Sequence, residues 1–206
     1  MSRSDADIAA EIAPAGLRFV ERDRAEPRLP VEAANLAPSC RDEDGRVDAE
    51  PHEFVNVDDP ERVGKLNAGW FRLADEHGLL NDDREFLLEV DYAKDGDDYP
   101  ELVWIKVRLE DRWSIAEGTV PALGRLGNPE FTALSVDERA LMRTTVWGNG
   151  SVSSLVIVQP AAASPIRKWA EHIAEDPHYP STAQAAARAW LDEPRNSPRE
   201  AKIHRP

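Results

Sequence analysis

Two runs with strand-like alternation, 85–93 and 101–109, flank an acidic segment containing Asp95 and Gly96, a pair that favours the tight type I′ turn of a β-hairpin. No other local feature constrains the fold as much, because side chains alternate between the two faces of a strand and pairing must respect both faces at once. A two-residue turn sets Phe86 opposite Ile105 and Leu88 opposite Val103 on one side, with Glu85 opposite Lys106 and Asp83 opposite Arg108 on the other. A four-residue loop keeps the same faces and moves Glu85 opposite Arg108. Pro100 must lie at an edge or bulge, since it donates no ladder hydrogen bond.

Around this hairpin the capping and periodicity signals predict four amphipathic helices. The first spans 60–77, with Asp59 as N-cap, Pro60 at the first position, a stripe of Val63, Leu66, Trp70 and Leu73, and Gly78 just past its end. The capping box Ser135 to Glu138 predicts a second over 136–147. Ser164 and Pro165 open a third over 165–175; Ser181 and Gln184 open a fourth over 182–191, with Ala185, Ala186 and Ala187 as its packing face. A short helix follows Ser4 and stops at Pro14, residues 17–20 and 113–116 read as brief strands, and 154–158 reads as a buried strand. The expected fold class is α+β, a small and mostly antiparallel sheet packed by helices.

Pro27, Pro30, Pro38 and Pro51 punctuate 25–51, which reads as a loop or linker between an N-terminal segment, 1–50, and a main domain, 51–193. Residues 194–206 are polar and read as a disordered tail. Cys40 is the single cysteine, so no intramolecular disulfide forms. The acids Asp5, Asp7 and Glu11 stand where a signal peptide would carry basic and apolar residues, and no apolar run reaches membrane-spanning length. A cytoplasmic location is expected.

Charge supplies the functional expectation. Residues 41–101 hold 20 of the 39 acidic residues but 7 of the 25 basic ones, a local net charge of −13 within a total of −14. Such a field attracts cations and basic surfaces and repels phosphate, which argues against direct nucleic-acid binding. The expected function is a non-catalytic interaction protein of inhibitor, immunity or nucleic-acid-mimic type, docking an acidic face on a basic protein surface. Its partner-binding residues would be Asp82, Asp83, Asp95, Asp97, Asp98 and Trp104. Trp104 shares a strand face with Lys106 and Arg108, which suggests exposure at a binding surface, the alternative being burial beneath a helix.

Catalytic signatures are weak, and no cofactor motif is present. Asp91, Asp95, Gly96 and Glu101 resemble a calcium loop only in part, because Ala93 and Leu102 fall at ligand positions; a solvated hairpin tip accounts for the same residues. Gly148-Asn149-Gly150-Ser151 lies between a predicted helix and a strand, the reverse of a dinucleotide-binding order, and reads as a turn. Glu171, His172, Glu175 and His178 could supply metal ligands, although Pro177 separates His178 from the helix. Cys40 with His52 has the residue types of a nucleophile and base but no sign of an activated thiol. The alternative function is therefore a metal-dependent hydrolase or transferase whose ligands, such as Asp91 with Asp95 or Glu171 with His172, converge in space.

Overall fold

The computed structural model describes all residues except 1, 26, 49–59, 94–99, 126, 149 and 195–206. Its chain order begins with α1 (Asp5–Ile12), β1 (Leu17–Arg22), α2 (Val31–Ala34), β2 (Arg46–Asp48) and α3 (Arg62–Glu76). The hairpin strands β3 (Glu85–Asp91) and β4 (Leu102–Leu109) come next, then a two-stranded ribbon of β5 (Gly124–Arg125) and β6 (Asn128–Pro129). Strands β7 (Phe131–Leu134), β8 (Ala140–Val146) and β9 (Val152–Val158) precede α4 (Ser164–Glu175) and α5 (Ser181–Asp192).

The main sheet has seven strands in the order β1-β4-β3-β7-β8-β9-β2, with antiparallel pairing throughout. Both outer strands come from the first fifty residues. The hairpin adopts the longer-loop register, with Glu85 opposite Arg108, Phe86 opposite Val107 and Leu88 opposite Ile105. Alternation thus set the face assignment but left the register open.

Helices cover the sheet on both sides. One core gathers Phe86, Leu88, Ile105, Val107, Met142 and Val156 against Ile8 and Ile12 of α1 and Trp70 and Leu73 of α3. The other gathers Leu87, Trp104, Leu134, Leu141, Leu155 and Ile157 against Leu29 to Cys40, α4 and α5. The segment predicted as a loop or linker therefore contributes six buried residues to this core, including Leu29, Val31 and Ala37, and supplies an edge strand. Its prolines obscure this because they break periodicity without preventing burial.

Local signals set the termini of several elements. Ser4 caps α1 by accepting from Asp7 N at 3.2 Å, while Ser4 N donates to Asp7 Oδ2 at 2.8 Å. Gly16, at φ 75°, then turns the chain into β1 where an added Cβ would lie 2.2 Å from the Arg112 carbonyl oxygen. The helices expected at 60–77, 165–175 and 182–191 are present as α3, α4 and α5, although Asp59 lies outside the described residues. In α5, Ala187 is buried while Ala185 is exposed, so the triplet does not form one packing face.

The helix expected over 136–147 is instead the turn into β8. Ser135 Oγ accepts from Arg139 N and Ala140 N at 2.9 and 3.0 Å, and Glu138 takes a left-handed φ of 60°. The spacing that suggested a helix cap closes a hairpin. Consecutive Ala140, Leu141 and Met142 face alternate cores rather than core and water, which erases strand alternation from the sequence. Residues 113–116 form no strand; Trp113 instead packs its ring 5.9 Å from that of Trp70.

Candidate functional site

A polar group set in the sheet carries no sequence motif that marks it. Leu87 pairs with Leu134 across β3 and β7, so the same antiparallel register sets Glu89 beside Thr132, and Thr132 pairs with Arg143 on β8. Three polar side chains thereby form a row across adjacent strands, next to the apolar row of Leu87, Leu134 and Leu141. Asn35, at the C-terminal end of α2, lies over the row. Its Nδ2 donates to Glu89 Oε1 at 3.2 Å, and its Oδ1 accepts from Thr132 Oγ1 at 2.8 Å and Arg143 Nη1 at 3.3 Å.

Arg143 connects this row to the surface. Its Nη1 donates to Thr132 Oγ1 at 2.8 Å and stands 3.8 Å from Glu89 Oε2, while its Nη2 donates to Glu130 Oε1 at 3.0 Å. The side chains of Glu89 and Arg143 are each 14% exposed, against 55% for Glu130. Glu89 Oε2 and Arg143 Nε are sealed from solvent without hydrogen-bond partners within the protein. Burial raises the Glu89 carboxyl above its usual range, opposed by Thr132, Arg143 and Asn35 and reinforced by the Glu32 carboxylate.

A cleft of about 440 Å³ opens beside the row, lined by Glu89, Pro121, Gly124, Asn128, Glu130, Arg143 and Val146. The β5–β6 ribbon forms part of its wall through a close backbone approach. Gly124, at φ 139°, would place an added Cβ 2.1 Å from the Asn128 carbonyl oxygen. The cleft thus combines two acidic side chains, one guanidinium and an amide on a backbone scaffold of three strands and a turn. Such a site can hold a cationic or strongly hydrogen-bonding group, and its raised carboxyl can exchange a proton.

Of the residues nominated from sequence, none of the described ones lines this cleft. Asp82 and Asp83 are exposed in the turn before β3, with Asp83 Oδ1 3.8 Å from Arg108 Nη2. Asp95, Asp97 and Asp98 lie outside the described residues. Several other carboxylates of the acidic stretch are engaged, Glu85 with Arg108 and Glu101 with Arg22 at 2.9 Å each, and Glu76 with Arg72 at 3.1 Å. Trp104 is corrected from a surface residue to a core residue. It is 5% exposed and donates from Nε1 to the Leu29 carbonyl at 2.7 Å, because the proline-punctuated segment covers its strand face. Trp147, at 40% exposure, is the tryptophan that reaches solvent most.

The other chemical candidates resolve into local roles. Asp91 Oδ1 accepts from Ala93 N and Glu101 N at 2.8 Å each, bracing the hairpin loop. Asp176, rather than Glu171 or Glu175, joins the histidines. It accepts from His178 N at 2.9 Å and pairs with His178 Nδ1 at 2.7 Å and His172 Nε2 at 3.3 Å, contacts that hold its carboxyl below the ordinary range. Among the described residues, no group of three or more His, Cys, Asp or Glu side chains is arranged to hold a metal ion. Cys40 is 1% exposed, and burial pushes its thiol up to about 11; His52 lies outside the described residues.

The cleft residues carried one overlooked sequence signal. Glu89 interrupts Phe86-Leu87-Leu88 and Val90, and Arg143 interrupts Ala140-Leu141-Met142 and the residues after it, so each places a charge inside a strand otherwise destined for burial. Nothing local joins them to Asn35, Glu130 and Thr132. No helix among the described residues is long and apolar enough to cross a membrane. Comparison with protein-family models, curated proteins and solved structures found no match, so the site's chemistry rests on its own residues.

Proposed function

We propose that this chain is a non-catalytic interaction protein that receives a cationic side chain of a basic protein partner, with the Glu89–Glu130–Arg143 cleft as the point of recognition. The observation that carries the reading is the cleft's charge imbalance. Glu89 and Glu130 line it with a single guanidinium between them, and Glu32 adds its field to Glu89 from α2. A partner cation in the cleft adds positive charge beside acids that Arg143 satisfies only in part, since it stands 3.8 Å from Glu89 Oε2 without a hydrogen bond. The remaining acidic surface contributes long-range steering, which weakens with added salt.

The reading separates the cleft from the exposed aspartates. A short acetylated and amidated arginine-containing peptide should bind at least about tenfold more weakly to the Glu89→Gln/Glu130→Gln variant than to the parent protein. The Asp82→Asn/Asp83→Asn variant should mainly lower the association rate and its salt dependence. Equal equilibrium affinity in the cleft variant, with thermal melting showing that it folds, would sink the proposal.

One observation favours an enzymatic second reading: a buried carboxyl with a raised proton affinity beside a cleft has the placement of an acid–base residue. Its metal-dependent form predicts a saturable rise in melting temperature with Mg²⁺, Ca²⁺, Mn²⁺ or Zn²⁺ beyond that in KCl of matched ionic strength. An equal rise in every salt indicates screening alone and leaves that form unsupported.

A further inference from the structure

We infer that a cation entering the cleft expels a proton from the Glu89 carboxyl, making capture and proton release a single event; this rests on the cleft reading above. The arrangement around Glu89 provides the basis. Its Oε1 accepts from Asn35 Nδ2, whereas its Oε2 accepts no hydrogen bond and is closed off from solvent. An ionised carboxylate with one unbonded oxygen is costly at such a depth. A proton on Oε2 removes the charge and leaves the Asn35 bond intact.

Burial favours that proton while the cleft has no cationic occupant, although the nearest charge opposes it. From β8, Arg143 offers its cation to Glu89 at 3.8 Å but commits a shorter hydrogen bond, 3.0 Å, to Glu130 of the β6–β7 connection. From α2, Glu32 adds repulsion, and its own carboxyl is raised by burial. Thr132 from β7 and Asn35 from α2 are uncharged, as are Trp104 across from Glu89 on β4 and Asn128 in the cleft wall. Beyond Asn128, Arg62 of α3 is directed to its side-chain oxygen at 3.3 Å. Burial therefore outweighs the opposing Arg143, Thr132 and Asn35 and raises the proton affinity of Glu89.

A cationic occupant alters this balance. In the field of the occupant's charge the carboxylic acid becomes a carboxylate, and its proton passes to solvent; no other bond forms or breaks. Affinity must therefore rise with pH below the free carboxyl's titration range, by up to about tenfold per pH unit, and level off above it. Glu130, by contrast, is 55% exposed and bonded to Arg143, so it is not enclosed as Glu89 is.

The test is calorimetric titration of the full chain with the same capped arginine-containing peptide at several pH values, each in two buffers of different ionisation heat. The expected result is a buffer-dependent heat corresponding to release of up to about one proton at low pH, fading toward neutrality. Carboxyl-carbon NMR should assign the change to Glu89. Glu89→Gln should abolish the buffer dependence while retaining measurable binding, and Glu130→Gln should preserve the release. Binding by the parent protein with no buffer dependence at any pH overturns the exchange but leaves the cleft reading standing. Release that persists in Glu89→Gln and vanishes in Glu130→Gln assigns the proton elsewhere and also overturns it. Absence of peptide binding overturns both.

Discussion

Removing the Glu138 carboxylate should destabilise the fold by about 3–5 kcal/mol, the range for breaking a buried ion pair by deleting one partner. The side chain belongs to the turn between β7 and β8 and is 7% exposed. Its Oε1 accepts from Arg28 Nη1 at 3.1 Å, and its Oε2 accepts from Leu29 N at 3.2 Å and Trp190 Nε1 at 3.1 Å. Three separate parts of the chain thus meet at one carboxylate: the segment after β1, in which Arg28 Nε also donates to Asp23 at 2.7 Å, the β7–β8 turn and α5. Glu138→Ala removes an acceptor from two buried donors, at about 1–3 kcal/mol each, and leaves Arg28 with Asp23 as its remaining carboxylate among these partners. Strain at φ 60° is shared by Glu and Ala, so it does not enter this difference. Glu138→Gln retains one acceptor oxygen and should lose about half as much. Glu138→Gly should be no less stable than Glu138→Ala, reversing the ordinary ranking, because glycine relieves about 1 kcal/mol at a left-handed position. Urea unfolding followed by circular dichroism and tryptophan fluorescence measures all three variants, and a cycle with Trp190→Phe isolates the α5 contact. A loss below about 0.5 kcal/mol in Glu138→Ala would refute the inference that this carboxylate ties the layers together.

Three further outcomes are expected. Glu89→Gln should stabilise the unliganded protein at neutral pH, because the folded carboxyl binds its proton more tightly than the ordinary value of 4.5. Folding then drives proton uptake, the parent loses stability as pH rises from near 4.5 through the folded value, and the variant's advantage should close on acidification; denaturant midpoints across pH check the sign. The Cys40 thiol should react slowly with a disulfide reagent at pH about 8 and rapidly in urea, since burial both blocks it and pushes its pKa up to about 11; equal rates would contradict the packing of 29–40. Ser4→Ala should cost about 1 kcal/mol through loss of the α1 cap, read as a shifted denaturant midpoint with an unchanged slope.

The sequence by itself determined those features whose causes lie within one turn or one strand. Ser4 and Asp7 specify the start of α1, the stripe through Trp70 and Leu73 specifies the buried side of α3, and alternation across β3 and β4 specifies which side chains share a face. Tertiary structure decided what those faces meet. Strand β8 was concealed because a sheet buried on both sides presents consecutive apolar residues, and residues 29–40 were concealed because proline breaks the periodicity by which buried segments are recognised. Trp104 lies in the core for the same reason: its cover comes from a segment some 75 residues away in the chain. The cleft was less legible still, since Asn35, Glu89, Thr132 and Arg143 meet only when α2, β3, β7 and β8 have taken their places. Capping and alternation act between residues a few positions apart, whereas solvent exclusion and charge pairing act through space, and it is the latter that give Glu89 its chemistry.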